Sequence, residues 1–252
     1  GGMLIETGKV SMTGCLIASN SVTGGNGAMC GAARYAHAFA QPGRGGGICF
    51  ENGDLRMTNC TIAGNIATGG TEIGGGAGIG GGIFIGRGVA TLVQCTISGN
   101  QANGAGFAGS AIGAGIDASS VTTGSVRIVS CTVLGNQATP SIGGYWRIDT
   151  WLPSGYGLGS VATSERVSIE NSIIARNLGA DLLTNTAAFV QVPNDVFGNA
   201  RSDGFNLVGT TNPLMTAGRF YYWLTNFSSG FTNADLVGLD PGTGPLQANG
   251  GS

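Results

Sequence analysis

A nine-residue phrase recurs five times along the chain, and this repeat constrains the fold more than any other feature. The second copy reads MTNCTIAGN, and each copy ends on an asparagine five residues after a cysteine or, in the fifth copy, a serine. The five copies end at Asn20, Asn65, Asn100, Asn136 and Asn177. Such a recurring unit predicts a stack of similar units in one elongated body, because neighbouring units bury each other's apolar faces.

Each copy of the phrase follows a glycine-led segment, such as GGGICFENGDLR before the second copy. Leu55 and Met57 alternate there with polar residues, which predicts short strands with one buried face. Three such strands per unit, separated by Gly and Asn turns, predict an all-β fold in which each unit is one turn of a parallel β-helix. The length variation falls between each asparagine and the next glycine run, which predicts inserted loops. These loops are 21–44, 66–80, 101–113 and 137–157.

Stacking the units about 4.8 Å apart, the ordinary spacing of paired strands, turns positions of the phrase into columns. Two columns of apolar residues are predicted to point inward, where β-branched residues pack well. They are Ile17, Ile62, Ile97, Val133 and Ile174, and Met12, Met57, Leu92, Ile128 and Ile169. The same alternation predicts a third inward column. It contains Cys15, Cys60, Cys95, Cys131 and Ser172.

The cysteine column favours core packing, because cysteine is small and buries readily in a narrow interior. A ladder along one axis brings no tetrahedral set of thiolates together, so no metal site is predicted. Disulfides between neighbouring units have an acceptable Cα separation, but parallel Cβ vectors suit the disulfide dihedral poorly. We therefore expect reduced, stacked thiols. Cys30 and Cys49 lie outside the column, and a disulfide between them is left open.

The asparagine column also has a structural interpretation. Asparagine tolerates the left-handed backbone of a tight corner, and its side-chain amide can hydrogen-bond the units above and below. No catalytic role is predicted for these residues.

Composition excludes several classes of function. Glycine is the commonest residue, at 49 of 252, and charged residues make up 10%, but apolar residues reach 42%, so the chain can bury a core. A net charge of -2 and scattered arginines give no basic stripe, so no nucleic acid partner is expected. Runs of about 18 apolar residues are lacking, so no membrane-spanning helix is predicted. Gly1 already lies in the register of the repeat, and we expect a piece of a longer protein.

The GGGI segments followed by phrases such as NCTIAGN resemble the right-handed parallel β-helix repeats of the pectin-lyase-like superfamily, as found in bacterial surface, autotransporter-like and polymorphic outer membrane proteins. SDGFNLVG and DLVGLDPGTGPLQANGG are similar to the end of β-helix domains in large secreted proteins with a C-terminal sorting anchor. The resemblance implies a right-handed β-helix with long loops on one side, in a secreted or cell-surface bacterial protein. Because this superfamily hosts lyases, hydrolases and adhesins, the resemblance leaves the function open.

The repeat divides the chain into two parts of one domain. Residues 1–177 are predicted to form the regular turns with their inserted loops, and residues 178–252 to form final irregular turns and a cap. The cap is predicted from RFYYWLTNF, at 219–227, the most aromatic segment of the chain. Because Gly1 already lies in the register of the repeat, we expect an uncapped N-terminal end, which would favour end-to-end self-association through open strand edges.

Aromatic and charged side chains concentrate in two of the inserted loops, and loops on a rigid scaffold usually carry function. Flat rings beside hydrogen-bonding side chains suit a sugar, but aromatic residues also cover scaffolds and anchor protein interfaces. The predicted binding residues are Tyr35, Tyr145, Trp146 and Trp151. We predict a structural or adhesive module that binds a polysaccharide or a surface protein through this loop face.

Catalysis is the alternative function. Members of the resembled superfamily present paired Asp residues with a Gly-His-Gly, or Asp clusters for calcium with an Arg base, and neither motif is visible here. Glycoside hydrolysis ordinarily requires two carboxylates that flank one bond. A lyase or hydrolase would have to use His37, Arg147 and Asp149, and needs two loops to converge. No catalytic residue or cofactor is therefore assigned, calcium stays open without a motif, and a self-assembling filament subunit is a third alternative.

Overall fold

The computed structural model describes residues 1–26, 40–71, 75–106, 109–141, 157–158, 161–182, 189–209 and 234–240. Within these ranges the chain forms strands and no helix, so the all-β prediction is confirmed. The strands follow one another in chain order. They are β1 (Met3–Ile5), β2 (Lys9–Thr13), β3 (Leu16–Ala18), β4 (Ser21–Thr23), β5 (Gly43–Arg44), β6 (Ile48–Phe50), β7 (Asp54–Thr58), β8 (Thr61–Ala63), β9 (Ile66–Thr68), β10 (Gly78–Ile79), β11 (Ile83–Ile85), β12 (Gly88–Val93), β13 (Thr96–Ser98), β14 (Gln101–Asn103), β15 (Ala111–Ile112), β16 (Ile116–Asp117), β17 (Gly124–Val129), β18 (Thr132–Leu134), β19 (Gln137–Thr139), β20 (Gly157–Leu158), β21 (Val161–Glu170), β22 (Ile173–Ala175), β23 (Leu178–Leu182), β24 (Phe189–Pro193), β25 (Val196–Gly204), β26 (Leu207–Val208) and β27 (Leu236–Val237).

Three sheets are built from these strands, and successive units contribute to them in the same order. Sheet 1 runs β1-β6-β11-β16-β21-β17-β12-β7-β2, with β25 paired to β21. Sheet 2 runs β27-β26-β22-β18-β13-β8-β3, and sheet 3 runs β4-β9-β14-β19-β23-β20-β15-β10-β5, with β24 paired to β23. Pairing between these strands is parallel except where β23 meets β20 and β24. Because a strand of one unit pairs with its counterpart in the next, the topology is compatible with a parallel β-helix.

Sheets 1 and 2 contribute large apolar side chains to one cluster, here called the main core. The predicted isoleucine column is confirmed as a chain of register partners in sheet 2, and Val208 extends it by one unit. The predicted column from Met12 to Ile169 is confirmed in sheet 1. All members beyond the first unit are fully buried, and each such side chain contributes about 1.5–3 kcal/mol.

The cysteine column points into the main core, as predicted. Cys60, Cys95 and Cys131 are each 1% exposed, whereas Cys15 in the first unit is half-buried. All four are free thiols. The three buried thiols each donate to the carbonyl oxygen two residues earlier, at 3.3 Å, so their polar group is satisfied within the same unit.

This column continues beyond the predicted members, through Asn206 and Asp235, as a hydrogen-bonded ladder here called the cysteine ladder. From Cys95 onward, the backbone N–H of each member donates to the side chain of the next. The donor–acceptor distances are 3.4 Å from Cys95 to Cys131 Sγ, 3.0 Å from Cys131 to Ser172 Oγ, 2.9 Å from Ser172 to Asn206 Oδ1 and 3.0 Å from Asn206 to Asp235 Oδ1. Among the described residues, the last acceptor of the ladder is therefore the Asp235 carboxylate.

The asparagine column forms a second ladder, here called the asparagine ladder, with the amide hydrogen bonds that the sequence predicts. From Asn20 to Asn177, the Nδ2 and the backbone N–H of each asparagine donate to Oδ1 of the next at 2.8–3.0 Å. The second Nδ2 hydrogen reaches a carbonyl oxygen of the preceding unit, as from Asn100 to Ile62 at 2.9 Å. In the last step, Asn177 donates both bonds to Asp195 Oδ1, at 2.8 and 2.7 Å.

The prediction that these asparagines adopt the left-handed backbone is wrong by one residue. The positive φ lies at the preceding position, with values of 62° at Gly64, 61° at Gly99 and 65° at Gly135. A similar left-handed residue, Asn59 with φ 52°, precedes Cys60. The residue before each ladder position therefore turns the corner, which leaves the side chain of the ladder residue pointing into the stack.

Sheet 3 forms a thin two-layered structure beside the main core, here called the arm. Its outgoing strands β4, β9, β14 and β19 lie against its returning strands β5, β10, β15 and β20. The two layers are so close that a Cβ on Gly43 would fall 2.1 Å from Thr68 O. A Cβ on Gly78 would fall 2.4 Å from Ala67 O, so only glycine permits this backbone approach. The arm has a small core of its own. It contains Ala102, Ala111, Ala114 and Ala138.

The predicted loop boundaries are therefore wrong at both ends. The four segments predicted as loops open with strands β4, β9, β14 and β19 and close with, or contain near their ends, strands β5, β10, β15 and β20. Parallel pairing uses backbone groups alone, so small residues without a clear apolar alternation still join the sheet.

Strand pairing after Asn177 is less regular than before it. β23 pairs with β24 in antiparallel fashion, and the pairing of β21 with β25 shifts register between Thr163 and Val167 and again between Ile169 and Glu170. The aromatic segment 219–227 lies outside the described residues. The division of the chain near residue 177 and the cap stay predictions.

Candidate functional site

The inserted segments leave the arm from stacked positions and return to stacked positions, an edge here called the loop edge. The departure points are the register partners Thr23, Thr68, Asn103 and Thr139. The return points are the register partners Gly43, Gly78, Ala111 and Gly157. Neighbouring segments thus begin about 4.8 Å apart, and their ends gather on one side as the sequence predicts.

The residues predicted to bind or catalyse lie outside the described residues, as does Cys30. They are Tyr35 and His37, in 27–39, and Tyr145, Trp146, Arg147, Asp149 and Trp151, in 142–156. Their roles, and the convergence of His37 with Arg147 and Asp149, stay predictions.

Polar contacts connect neighbouring segments at the described part of the loop edge. Asn26 Oδ1 accepts hydrogen bonds from the backbone N–H of Thr71, at 3.0 Å, and from its hydroxyl, at 3.1 Å. The Ser141 hydroxyl donates to Gly106 O at 2.9 Å and accepts from the Gly109 N–H at 2.8 Å. Each contact joins segments of successive units, so the loop edge is organised along the stacking direction.

A second polar group lies where the arm joins sheet 1, here called the seam. Cys49, Phe84 and Asp117 are register partners on the side of sheet 1 that faces away from the main core. The guanidinium of Arg44, at the end of β5, lies 5.4 Å from the centroid of the Phe84 ring, a cation–π distance. All three side chains in sheet 1 are buried despite their outward direction.

Asp117 has a buried carboxyl with a raised pKa. It is 1% exposed, and this burial raises its pKa to about 6, because the ionised form loses hydration. The Ser119 hydroxyl donates to Asp117 Oδ1 at 2.7 Å and opposes the increase. A carboxyl with this pKa can exchange a proton near neutral pH, but its burial keeps it from contact with a large substrate.

Cys49 is not suited to nucleophilic chemistry. Burial and the adjacent Glu51 carboxylate raise the pKa of its thiol to about 12, so the thiolate is not formed at neutral pH. The thiol donates to Glu51 Oε1 at 3.5 Å. Cys49 is a free thiol, so the disulfide with Cys30 that the sequence left open is not found.

The thiols of the cysteine ladder interact with one another. The neighbouring Cys131 thiol lowers the pKa of Cys95, the Cys95 thiol raises that of Cys131, and burial raises the pKa of Cys60. Their burial in the main core keeps solvent and large substrates away. Within the described ranges, no group of three or more His, Cys, Asp or Glu side chains is arranged to hold a metal ion.

Sequence reasoning did not single out Asp117. The signal was present in GAGIDASS, where an aspartate precedes a serine by two positions, as in side-chain-to-backbone turn motifs. Its register with Phe84 and Cys49 also places it in a column of otherwise uncharged residues.

No protein-family model matches the chain, and neither a curated protein nor a solved structure matches it. The fold alone defines its class, which is an all-β protein of stacked sheets with mostly parallel strands. None of the residues described forms a helix long and apolar enough to cross a membrane.

Proposed function

We propose that this chain is a right-handed parallel β-helix of the pectin-lyase-like kind, and that it serves as a secreted or cell-surface structural or adhesive module. Its loop edge binds a carbohydrate or a protein partner. The stacking of the loop ends is the observation that carries this proposal, because it holds four sequence-variable segments side by side on a regular scaffold.

The two internal ladders support the proposal that the scaffold provides stability and the loops provide recognition. Their side chains satisfy each other's hydrogen bonds within the stack, so the scaffold does not depend on the sequence of the inserted segments. Loops on such a scaffold can vary freely and carry recognition. The aromatic residues that the sequence places in the fourth segment suit this role.

The titratable groups of the seam favour binding over catalysis. Asp117 is buried, and the Cys49 thiol stays protonated. No pair of exposed carboxylates with the separation that glycoside hydrolysis requires is placed at the described part of the loop edge.

A glycan and protein array probed with the labelled chain tests the proposal. We expect binding to at least one carbohydrate or surface protein, and a loss of about tenfold or more for the double variant Trp146→Ala/Trp151→Ala. Phe205→Ala, which removes an exposed ring elsewhere, is the matched control and should bind as the wild type does. Absence of any binding, or equal loss in the control, contradicts the proposal. Unsaturated products or new reducing ends from a bound polysaccharide would replace it with a lyase or hydrolase.

A second candidate is self-association of the chain. Strands β1 to β4 are terminal strands of the three sheets, and Met3, Leu4 and Leu16 on them are exposed. Exposed edge strands are templates for pairing with another chain. Light scattering across a wide concentration range tests this candidate, and a constant monomer mass contradicts it.

A further inference from the structure

Arginine recurs on every second strand in one outward column of sheet 1, here called the arginine column. Successive members are register partners in β2, β7, β12, β17, β21 and β25. The column consists of Ser11, Arg56, Thr91, Arg127, Ser168 and Arg201. Paired strands lie about 4.8 Å apart, so the backbone positions of the three arginines repeat at about 9.6 Å along the stack.

Each arginine of this column is held by one acidic side chain. Arg56 Nε lies 3.4 Å from Asp54 Oδ1, and Arg127 Nη2 lies 3.3 Å from Glu170 Oε2. Arg201 Nε lies 3.0 Å from Asp203 Oδ1. These pairs restrict the long side chains to one side of the sheet, which reduces the conformational entropy that a ligand would otherwise have to remove.

The guanidinium groups are the outermost part of these pairs. The side chains of Arg56 and Arg201 are 69% and 71% exposed, against 25% and 30% for their acidic partners. Arg127 is 54% exposed, against 41% for Glu170. A guanidinium has five N–H donors, and these ion pairs use one or two of them. The remaining N–H donors of each arginine are available to an anionic ligand above the sheet, beside the acidic partner that holds the side chain.

We propose that the arginine column binds a linear acidic polysaccharide that carries a carboxylate on every second sugar. Two sugar rings of an extended chain span roughly the distance of two strands, so successive carboxylates meet successive arginines. Guanidinium and carboxylate are matched for paired hydrogen bonds. The inference rests on the proposed function only in assigning a carbohydrate ligand, and it adds a second surface, separate from the loop edge.

A nucleic acid fits this surface poorly. Duplex DNA presents one negative charge about every 1.7 Å of its axis, much more densely than the arginines repeat. Single-stranded binding surfaces combine a basic groove with aromatic side chains on which bases stack, and the arginine column contains no aromatic residue. Sparse charges at equal spacing select instead a polymer with sparse, regularly spaced anions.

Binding measured with four polymers tests the proposal. The probes are a polymer of alternating glucuronate and N-acetylglucosamine, a polygalacturonate with a carboxylate on every ring, an uncharged β-1,4-glucan and single-stranded DNA. We expect the alternating polymer to bind most tightly to the wild-type chain, with an affinity that falls as salt is added. Each of Arg56→Gln, Arg127→Gln and Arg201→Gln should weaken it about threefold to fivefold, with a larger loss in the triple variant.

Arg87→Gln is the matched control, because it removes the same charge from an exposed arginine outside the column. Equal losses for this control and for Arg127→Gln would overturn the proposal in favour of nonspecific charge. So would equal binding of polygalacturonate or DNA, since the spacing would then not matter. Unchanged binding in the triple variant also overturns it. The proposed function fails separately, if Trp146→Ala/Trp151→Ala leaves every partner found on the array bound as before.

Discussion

The main core and the arm stack the same repeat units with side chains of opposite size. In the main core, isoleucine, leucine, methionine and phenylalanine fill the space between sheets 1 and 2. In the arm, alanine and glycine let two layers of backbone approach directly. One continuous stack can therefore contain one region that requires large side chains and another that excludes them. The asparagine ladder lies at the boundary between them, because each asparagine directly precedes an outgoing strand of the arm.

The largest loss of stability should come from Asn100→Ala, which interrupts the asparagine ladder at the boundary between the main core and the arm. The change leaves the two N–H donors of Asn65 without their acceptor and removes the amide donor to Asn136, all in a buried setting. Each orphaned buried group costs about 1–3 kcal/mol, so we expect a loss of about 4 kcal/mol in the free energy of unfolding. Urea denaturation measures it. Asn20→Ala, at the half-buried start of the ladder, should cost clearly less, and equal losses would contradict the account.

A large-to-small substitution in the main core and a small-to-large substitution in the arm test the contrast in side-chain volume between the two regions. Ile97→Ala in the main core should destabilise by about 2–5 kcal/mol, because it leaves a cavity. Ala102→Leu in the arm should destabilise by about 1–3 kcal/mol, because the layers must separate to admit it. Both are measured by thermal and urea unfolding. Asn103→Leu, one position along the same strand and half-buried, is the control. A neutral Ala102→Leu would show that the arm is not closely packed.

The seam between sheet 1 and the arm should make stability depend on pH. The pKa of Asp117 is raised from its usual 3.8 to about 6, so the folded protein holds this proton more tightly than the unfolded chain. Stability should therefore fall as pH rises from about 4 to about 6 and then level off, by about 3 kcal/mol. Asp117→Asn should lack this decline and gain stability relative to the wild type at pH 8. Parallel pH profiles of the two proteins, from urea unfolding, would contradict the assignment.

The smallest effect should come from the outer face of sheet 1, which belongs to neither interior. Arg127→Gln removes an exposed ion pair with Glu170. Exposed pairs contribute about 0–1 kcal/mol, so the unfolding midpoint should barely move. A loss comparable to that of Ile97→Ala would show that this face is part of the packed structure. The near-neutral result also qualifies the variant for binding measurements.

The main core was predictable from the sequence because apolar alternation and the recurrent phrase specify both direction and register. Ile62 and Ile97 occupy the same position of the phrase and pair in sheet 2. The arm was not predictable, because residues such as Gly78 and Ala111 join a strand through backbone bonds that leave no pattern in side-chain polarity. The left-handed corner was misplaced for a related reason, since Gly64 and Asn65 both tolerate it.

The candidate site was likewise only partly predictable from the sequence. The gathering of loop ends followed from the repeat, since stacked asparagines imply stacked departures. The roles of Tyr35 and Trp146 could be proposed only from residue type. Asp117 and two members of the arginine column, Arg56 and Arg127, occupy fixed positions of the repeat, whereas the continuation of the column to Arg201 depends on the pairing of β21 with β25, which the phrase does not mark.

Among the described residues, the last acceptor in each ladder is a carboxylate, Asp195 in one and Asp235 in the other. An asparagine receives a hydrogen bond and passes one on, whereas a carboxylate only receives. The replacement of the amide nitrogen by a carboxylate oxygen therefore stops the relay of side-chain hydrogen bonds at that residue. To lengthen the stack, copied units should be inserted upstream of Asp195, where each new asparagine has both a hydrogen-bond donor and an acceptor in the neighbouring units.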